Sequence, residues 1–199
     1  MSWLERQPTL VGARVRLEPL GPEHFEGLWP MFAVDGAPTE GPLAEFTRAQ
    51  VRSGMALAKD RHDRADWTIV RVRDGAVLGE VVLFELDEDC ESMEFRIALV
   101  GPALFDRGYG TEATTLVRDF ALGPLGLHRL TLQVVDDNAR ARHVYAACGF
   151  RVEGVRRDAR RIDGAWHDVV DMAMLVGDAR PEPARHTAAG SPRRPVPRG

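Results

Sequence analysis

The sequence predicts an α/β domain in which helices pack on a mixed β-sheet. Apolar residues recur with a period of two in some stretches of residues 11–176 and with helical spacing in others. One helical stretch stands between the strands predicted at residues 93–100 and 129–135. Because a helical crossover joins parallel neighbours, the sheet is expected to contain at least one parallel pair.

The first half of the chain predicts helices between strands. A strand is predicted over Val11 to Leu20, and a helix begins at Pro22, since proline suits a first helical turn. A second helix is predicted over Leu43 to Ala58, where apolar residues return at helical spacing. Strands over Trp67–Val72 and Val77–Leu86 then form a hairpin around an Asp-Gly turn.

The second half alternates strands and helices more regularly. In chain order, the predicted elements are a strand at Met93–Val100, a helix at Gly108–Leu122, a strand at Arg129–Val135, a helix at Asn138–Cys148, and strands at Phe150–Val155 and Val169–Val176. Gly149 is expected to end the last helix. The last two strands are joined by a turn at Asp163-Gly164.

The composition predicts one domain over residues 1–176 and a disordered Pro/Arg-rich tail over residues 177–199. The tail is rich in proline and has almost no large apolar residue, so it cannot bury enough surface to offset its ordering entropy. The 199-residue chain is long enough for one domain with a substantial core.

Charge and cysteine content narrow the class of function. A net charge of −4 argues against nucleic-acid binding, and the acidic excess before the tail mildly favours a cationic substrate. No apolar run approaches the roughly 18 residues of a membrane span, and the start does not resemble a signal peptide. Cys90 and Cys148 are too few for a disulfide framework or a zinc site. We therefore expect a cytoplasmic protein without a metal site.

The most informative stretch is a glycine turn at Arg107-Gly108-Tyr109-Gly110-Thr111, between a predicted strand and a predicted helix. Two alternate glycines let backbone amides approach a ligand, and the helix start adds unpaired N–H groups and a positive dipole end. Such a turn suits an anion, most naturally a pyrophosphate, although a plain structural turn is an equal alternative. The turn lacks the lysine of a P-loop, while its spacing also permits a dinucleotide site.

A second cluster runs from Asn138 to Phe150. Asn138 is well placed as a helix N-cap, and Tyr145 lies two turns later on the same helix face. The Tyr145 phenol is either a general acid or a packing residue. Arg140 and Arg142 are either solvated or in contact with phosphates, and Arg142 is included among the cofactor-binding candidates.

Together the two clusters resemble the GNAT N-acetyltransferase superfamily. The glycine turn is followed by the pattern Asn-x-x-Ala-x-x-x-Tyr-x-x-x-Gly-Phe from Asn138. The likeness is greatest to the ribosomal-protein N-terminal alanine acetyltransferase type, which includes spermidine-acetyltransferase-like members. It implies a GNAT-like fold: a mostly antiparallel sheet with one parallel, splayed strand pair and helices on both faces. It also allows a homodimer.

The resemblance also implies how acetyl-CoA binds. The cosubstrate would lie between the strand ending at Val100 and the strand beginning near Arg129, with Leu99 and Val100 pairing to its pantetheine. The amides of Arg107, Gly108, Tyr109, Gly110 and Thr111 would hold the pyrophosphate, Asn138 would contact the cofactor, and Tyr145 would act as general acid near the sulfur. Phe105 departs from the family pattern, since Gln or Arg often stands there.

Glu94 is the first candidate for the general base. Strand alternation places Glu94 opposite Phe95 and Ile97, in a cleft where a carboxylate can have a raised pKa. Glu112 and Glu85 are alternatives, and Glu112 at a helix start more simply stabilises the helix dipole.

The function expected is acetyl transfer from acetyl-CoA to a primary amine by direct attack. The acceptor is either a protein N-terminus or a small amine such as a polyamine. Two other functions stay open: a non-catalytic acyl-CoA-binding regulator, which would need no base, and a nicotinamide- or flavin-binding protein that uses the same glycines.

Overall fold

The computed structural model describes residues 7–32, 47–58, 61 and 63–181. Its strands are β1 (Leu10–Val11), β2 (Val15–Pro19), β3 (Ala65–Arg71), β4 (Val77–Asp87), β5 (Ser92–Leu99), β6 (Arg129–Val135), β7 (Arg151–Ile162) and β8 (Ala165–Leu175). Its α-helices are α1 (Phe25–Leu28), α2 (Arg48–Ala58), α3 (Tyr109–Ala121) and α4 (Ala139–Ala147). Short 3₁₀ turns occur at Pro22–His24, Trp29–Met31 and Pro102–Leu104.

The eight described strands form one sheet in the order β1-β2-β3-β4-β5-β6-β8-β7. Neighbouring strands are antiparallel except β5 and β6, which are parallel and joined by the α3 crossover. The predicted mixed sheet with one parallel pair is therefore confirmed. None of the described helices is long and apolar enough to cross a bilayer.

Helices cover both faces of the sheet. The main core packs α3 and α4 on the face that carries Trp67 and Phe95, with the Trp67 and Phe120 rings edge to face at 5.7 Å. A smaller apolar cluster packs α1 and α2 together against Val100. Because side chains alternate along a strand, Val100 lies on the face opposite Phe95.

The N-terminal elements are shorter than predicted. The expected strand over Val11–Leu20 is a hairpin of β1 and β2, closed by a hydrogen bond from the Gly12 N–H to the Val15 carbonyl (2.9 Å). The expected helix at Pro22 is two 3₁₀ turns around the four-residue α1. The predicted second helix begins at Arg48 within the described residues, and residues 43–46 lie outside them.

The last hairpin is longer than predicted. The predicted strands ended at residue 155 and resumed at residue 169, whereas β7 and β8 continue to the turn at Asp163-Gly164. Between the turn and Val169, β8 pairs with β7 and not with β6. Because both faces of this extension lie largely in solvent, its side chains show no apolar alternation that the sequence could reveal.

Candidate active site

The parallel strands β5 and β6 separate soon after they meet. They pair only at Ser92–Arg129, Met93–Leu130 and Glu94–Thr131, although β5 continues to Leu99 and β6 to Val135. Each strand stays paired to its outer neighbour, β5 to β4 and β6 to β8. A wedge therefore opens between the carboxyl ends of the two strands, where ligands commonly bind in sheets that contain parallel strands.

One edge of this wedge is lined by unpaired backbone of β5. The Val100 N–H donates to the Leu78 carbonyl of β4 (2.9 Å). Because inward and outward amides alternate along an antiparallel pair, the N–H groups of Ile97 and Leu99 point away from β4 and into the wedge. Of the two predicted pantetheine partners, Leu99 thus offers its N–H to a ligand, whereas the Val100 N–H already has an acceptor.

The glycine turn lies where β5 leads into α3. Gly108 is the N-cap of α3 with φ 77°, a left-handed conformation that suits glycine. A Cβ at Gly108 would lie 2.7 Å from Nη1 of Arg14, whereas a Cβ at Gly110 would meet nothing within 4 Å. Arg107, beside Gly108, is exposed.

The first amides of α3 are available to an anion. The first hydrogen bond within the helix runs from the Glu112 N–H to the Gly108 carbonyl (3.0 Å). The N–H groups of Tyr109, Gly110 and Thr111 have no protein acceptor in the described part of the chain. They form a helix N-terminus of the kind that binds a phosphate group. The Tyr109 side chain is buried, so its amide is the part that can reach a ligand.

Glu112 holds the neighbouring hairpin against the start of α3. Its Oε1 accepts hydrogen bonds from the Arg14 N–H (2.8 Å) and the Val15 N–H (3.5 Å). Arg14 in turn donates from Nη1 to the Arg107 carbonyl (2.9 Å). These contacts favour a positioning role for Glu112, one of the two alternative candidates for the base.

The start of α4 faces the same opening. The Asn138 side chain accepts a hydrogen bond from the Ala141 N–H (3.1 Å) and so caps the helix. Nη1 of Arg142 pairs with Oδ1 of Asp136 (2.5 Å) and also donates to the Asp136 carbonyl (3.1 Å). Both predicted cofactor contacts therefore lie at the mouth of the wedge, but each side chain has an intramolecular partner.

Tyr145 lies below the point where the strands separate. Its ring packs edge to face against Phe95, which directly follows the last paired residue of β5, and against Phe150, both at 6.2 Å. Burial raises the pKa of Tyr145 to about 12, so the phenol is protonated at neutral pH. Its hydroxyl has no hydrogen-bond partner among the described residues.

The opposite face of the sheet carries a cavity of about 380 Å³ at the same place. Three carboxylates line it, those of Glu94, Glu153 and Asp171, against the single guanidinium of Arg129. Arg129 forms a two-point ion pair with Glu153. The cavity therefore has an acidic lining that suits a cationic molecule.

Glu94 is the cavity carboxylate without a cationic partner among the described residues. Its Oε2 accepts a hydrogen bond from Nε2 of Gln133 (3.4 Å), whereas Asp171 is paired with Arg156 (3.0 Å). Burial raises the pKa of Glu94, and the nearby negative charge of Glu85 raises it further. A carboxylate with a raised pKa at the end of the paired segment can accept a proton.

Sequence reasoning did not identify the acidic cavity. Gln133 and Asp171 lie side by side because β6 and β8 pair, and Glu153 is brought in by β7. Strand alternation places Gln133 on the same face as Thr131, but the pairing of distant strands is not readable from one sequence. The contacts of Arg14 with the glycine turn are likewise tertiary.

Comparison with known proteins identifies the family. A family model described as an acetyltransferase (GNAT) domain matches residues 14–151. The chain is 30% identical over 156 residues to the probable N-acetyltransferase YjcK of Bacillus subtilis, covering 78% of this chain and 83% of that protein. It is 31% identical over 117 residues to the spermidine N(1)-acetyltransferase of Escherichia coli K12, covering 59% of this chain and 62% of that protein.

Solved structures share the fold. A GNAT-family acetyltransferase from Bacillus anthracis superposes with a TM-score of 0.72 at 16% identity, over 85% of this chain and 99% of that chain. A GCN5-related N-acetyltransferase from Brucella melitensis superposes with a TM-score of 0.69 at 25% identity, over 86% of this chain and 80% of that chain. The splayed strand pair, the glycine turn and these matches together show that the chain belongs to the GNAT family of acetyltransferases.

Proposed function

We propose that this protein transfers the acetyl group of acetyl-CoA to a primary amine by direct attack, and that a polyamine or similar cationic small amine is the first acceptor to test. The observation that carries the proposal is the wedge between β5 and β6. It combines outward-facing amides at Ile97 and Leu99 with the unpaired helix amides that begin at Tyr109.

The cosubstrate fits this wedge in two places. The amides of Tyr109, Gly110 and Thr111 would hold the pyrophosphate, because they have no protein acceptor among the described residues and carry the positive end of the α3 dipole. The Leu99 N–H and carbonyl would pair with the pantetheine amides as a neighbouring strand does. The Ile97 N–H, closer to the last paired residue, is placed to polarise the thioester carbonyl.

Glu94 and Tyr145 would handle the protons. An ammonium acceptor must lose a proton before it attacks, and Glu94 in the acidic cavity accepts that proton directly or through a water molecule. As the C–N bond forms and the C–S bond breaks, the nitrogen loses its second proton to water and the departing sulfur takes the phenolic proton of Tyr145. Solvent then restores the Tyr145 proton and takes up the proton held by Glu94. The two residues flank the end of the paired segment from opposite faces of the sheet.

The lining of the cavity supports a cationic acceptor. Three carboxylates line the cavity, and among the described residues only Glu153 and Asp171 have arginine partners, Arg129 and Arg156. The reacting amine would meet Glu94, and a second positive charge on the acceptor would lie near the other two carboxylates. The spermidine N(1)-acetyltransferases among the relatives support the same choice. The unpaired thiols Cys90 and Cys148 are compatible with the cytoplasm as the site of the reaction.

Calorimetric titration tests the cosubstrate first. The purified protein is titrated with acetyl-CoA, CoA and NAD, and we expect micromolar binding of both CoA species and none of NAD. Failure to bind either CoA species would overturn the proposal. Binding of NAD in their place would favour a dinucleotide site.

A thiol-release assay then tests the acceptor. Spermidine, a monoamine of comparable length and an alanine-initiated peptide are compared at equal concentration, and the product is identified by mass spectrometry. We expect spermidine to have the highest kcat/KM because its distal charge meets the cavity carboxylates. Preference for the peptide would shift the acceptor to protein N-termini, and no thiol release with any amine would favour a non-catalytic acyl-CoA-binding protein.

A further inference from the structure

An arginine from α4 reaches across the mouth of the wedge to the loop that precedes the glycine turn. The guanidinium carbon of Arg140 lies 3.2 Å from the centroid of the Phe105 ring. Phe105 follows the 3₁₀ turn after β5, and Arg140 is the second residue of α4. The contact therefore joins the two loops that follow the separating strands.

The charge of Arg140 is not neutralised by a neighbouring acid. No carboxylate in the described part of the chain lies within ion-pair distance of its guanidinium, and the residue is exposed. Arg142, two residues later, differs because Asp136 pairs with it. Stacking on an aromatic ring orients the guanidinium plane and leaves its N–H groups free at the edge.

The surroundings of the stacked guanidinium suit an anion. Phe105 lies three residues before Gly108, so the stacked guanidinium lies on the loop that leads into the free amides of α3. Exposed Arg107 is in the same loop. Planar guanidinium groups bind phosphate oxygens in a two-point geometry, and a stacked one loses less side-chain freedom on binding.

We propose that Arg140, held in place by Phe105, binds a phosphate group of the CoA cosubstrate. This inference rests on the proposed function, because it takes CoA as the ligand of the wedge. It adds a side-chain contact to a cradle otherwise made of backbone amides. It also gives Phe105 a role, since its ring positions the guanidinium and does not itself touch the phosphate.

Calorimetric titration of three proteins with CoA and with 3′-dephospho-CoA tests the inference. The proteins are the wild type, Arg140→Gln and the matched control Arg52→Gln, which removes an exposed arginine from the surface of α2. We expect Arg140→Gln to weaken CoA binding about tenfold or more, because a charge-assisted hydrogen bond is lost. Arg52→Gln should bind CoA within about twofold of the wild type. The difference in CoA affinity between the wild type and Arg140→Gln should shrink at high salt.

The two ligands show which phosphate is bound. An equal loss for both would assign Arg140 to the pyrophosphate, and a loss confined to CoA would assign it to the 3′-phosphate. Phe105→Leu should lower the affinity for the same ligand or ligands severalfold, because the ring no longer holds the Arg140 guanidinium. The thermal midpoint of each variant is measured to show that it is folded.

One result overturns the inference alone: a folded Arg140→Gln protein that binds both ligands as tightly as Arg52→Gln does. Absence of CoA binding by the wild type would instead overturn the proposed function. The two failures are therefore distinguishable within one set of titrations.

Discussion

The hydroxyl of Tyr145 makes no hydrogen bond to the described residues, although its ring is buried against Phe95 and Phe150. Replacing Tyr145 by Phe keeps the ring packing and removes only the acidic proton. We therefore expect kcat to fall about a hundredfold, the usual contribution of a positioned acid. Acetyl-CoA affinity should change less than about twofold, as measured by steady-state kinetics alongside calorimetry.

An equal loss of kcat and acetyl-CoA affinity in the Tyr145→Phe protein would contradict the acid role. It would show that the hydroxyl supports binding. The thermal midpoint should stay close to that of the wild type, since no protein hydrogen bond is removed.

We expect the protonation of Glu94 to determine how kcat/KM depends on pH. A general base works in its deprotonated form, so kcat/KM should fall as the pH drops through the pKa of Glu94. Burial and the charge of Glu85 raise that pKa, which moves this acidic limb towards neutral pH. Glu94→Gln should lower kcat/KM at neutral pH and abolish the limb in a pH–rate profile.

Glu153→Gln serves as the control because Glu153 lines the same cavity but is paired with Arg129. It should keep the acidic limb and change mainly the KM of a cationic acceptor. A Glu94→Gln protein that retains the wild-type limb would rule out Glu94 as the titrating base.

At the scale of elements, the start of α3 depends on one glycine. Gly108 has φ 77°, and a Cβ there would lie 2.7 Å from Arg14 Nη1. Gly108→Ala should therefore lower the free energy of unfolding by about 1–2 kcal/mol. It should also weaken CoA binding, because the amides that follow are displaced.

Gly110→Ala is the matched control for this element. Gly110 lies within α3, and a Cβ there meets no atom within 4 Å. Alanine is the better helix former, so stability should be unchanged or slightly higher in chemical denaturation. Equal destabilisation by the two substitutions would contradict the role assigned to the left-handed conformation of Gly108.

At the scale of the whole molecule, the segment that follows the last strand is hydrogen-bonded to α3 and to the residue after it. The Pro181 carbonyl accepts a hydrogen bond from buried Arg118 (3.1 Å), and Arg180 donates to the Leu122 carbonyl (2.8 Å). Truncation after Val176 removes both contacts, each contributing about 1 kcal/mol. Its thermal midpoint should fall by several degrees, at about 2–4 °C per kcal/mol.

Truncation after Pro181 keeps those contacts and removes only residues 182–199, which lie outside the described residues. Their proline-rich composition predicts no contribution to the core, so the thermal midpoint should match that of the full chain. A clear loss of stability in this shorter truncation would contradict the predicted tail.

Elements with a strong local pattern were predictable from the sequence. β6 was predicted with its observed bounds, and α3 and α4 within one residue at each end, because apolar spacing and capping residues such as Asn138 mark them. The β1–β2 hairpin was not predicted, because its turn at Gly12 is shaped by Glu112, a residue distant in the chain.

The candidate site also has a part that was predictable from the sequence and a part that was not. The positions of Glu94 and Tyr145 on strand and helix follow from periodicity. The base role predicted for Glu94 came from strand alternation, and the acid role predicted for Tyr145 came from the family resemblance. The wedge forms because β5 remains paired with β4, and β6 with β8, after β5 and β6 separate. These pairings join residues far apart in the chain, so one sequence does not reveal them. The contact of Arg140 with Phe105 likewise joins residues that are close only in the folded chain.

The sequence by itself determined the fold class, the order of most elements, the glycine turn and the family, because these depend on local periodicity and on motifs of fixed spacing. Only the tertiary structure decided where β5 and β6 separate, which amides face the opening, and which carboxylates share the cavity with Glu94. The physical reason is that strand register and the burial of charged groups are set by contacts between residues far apart in the chain.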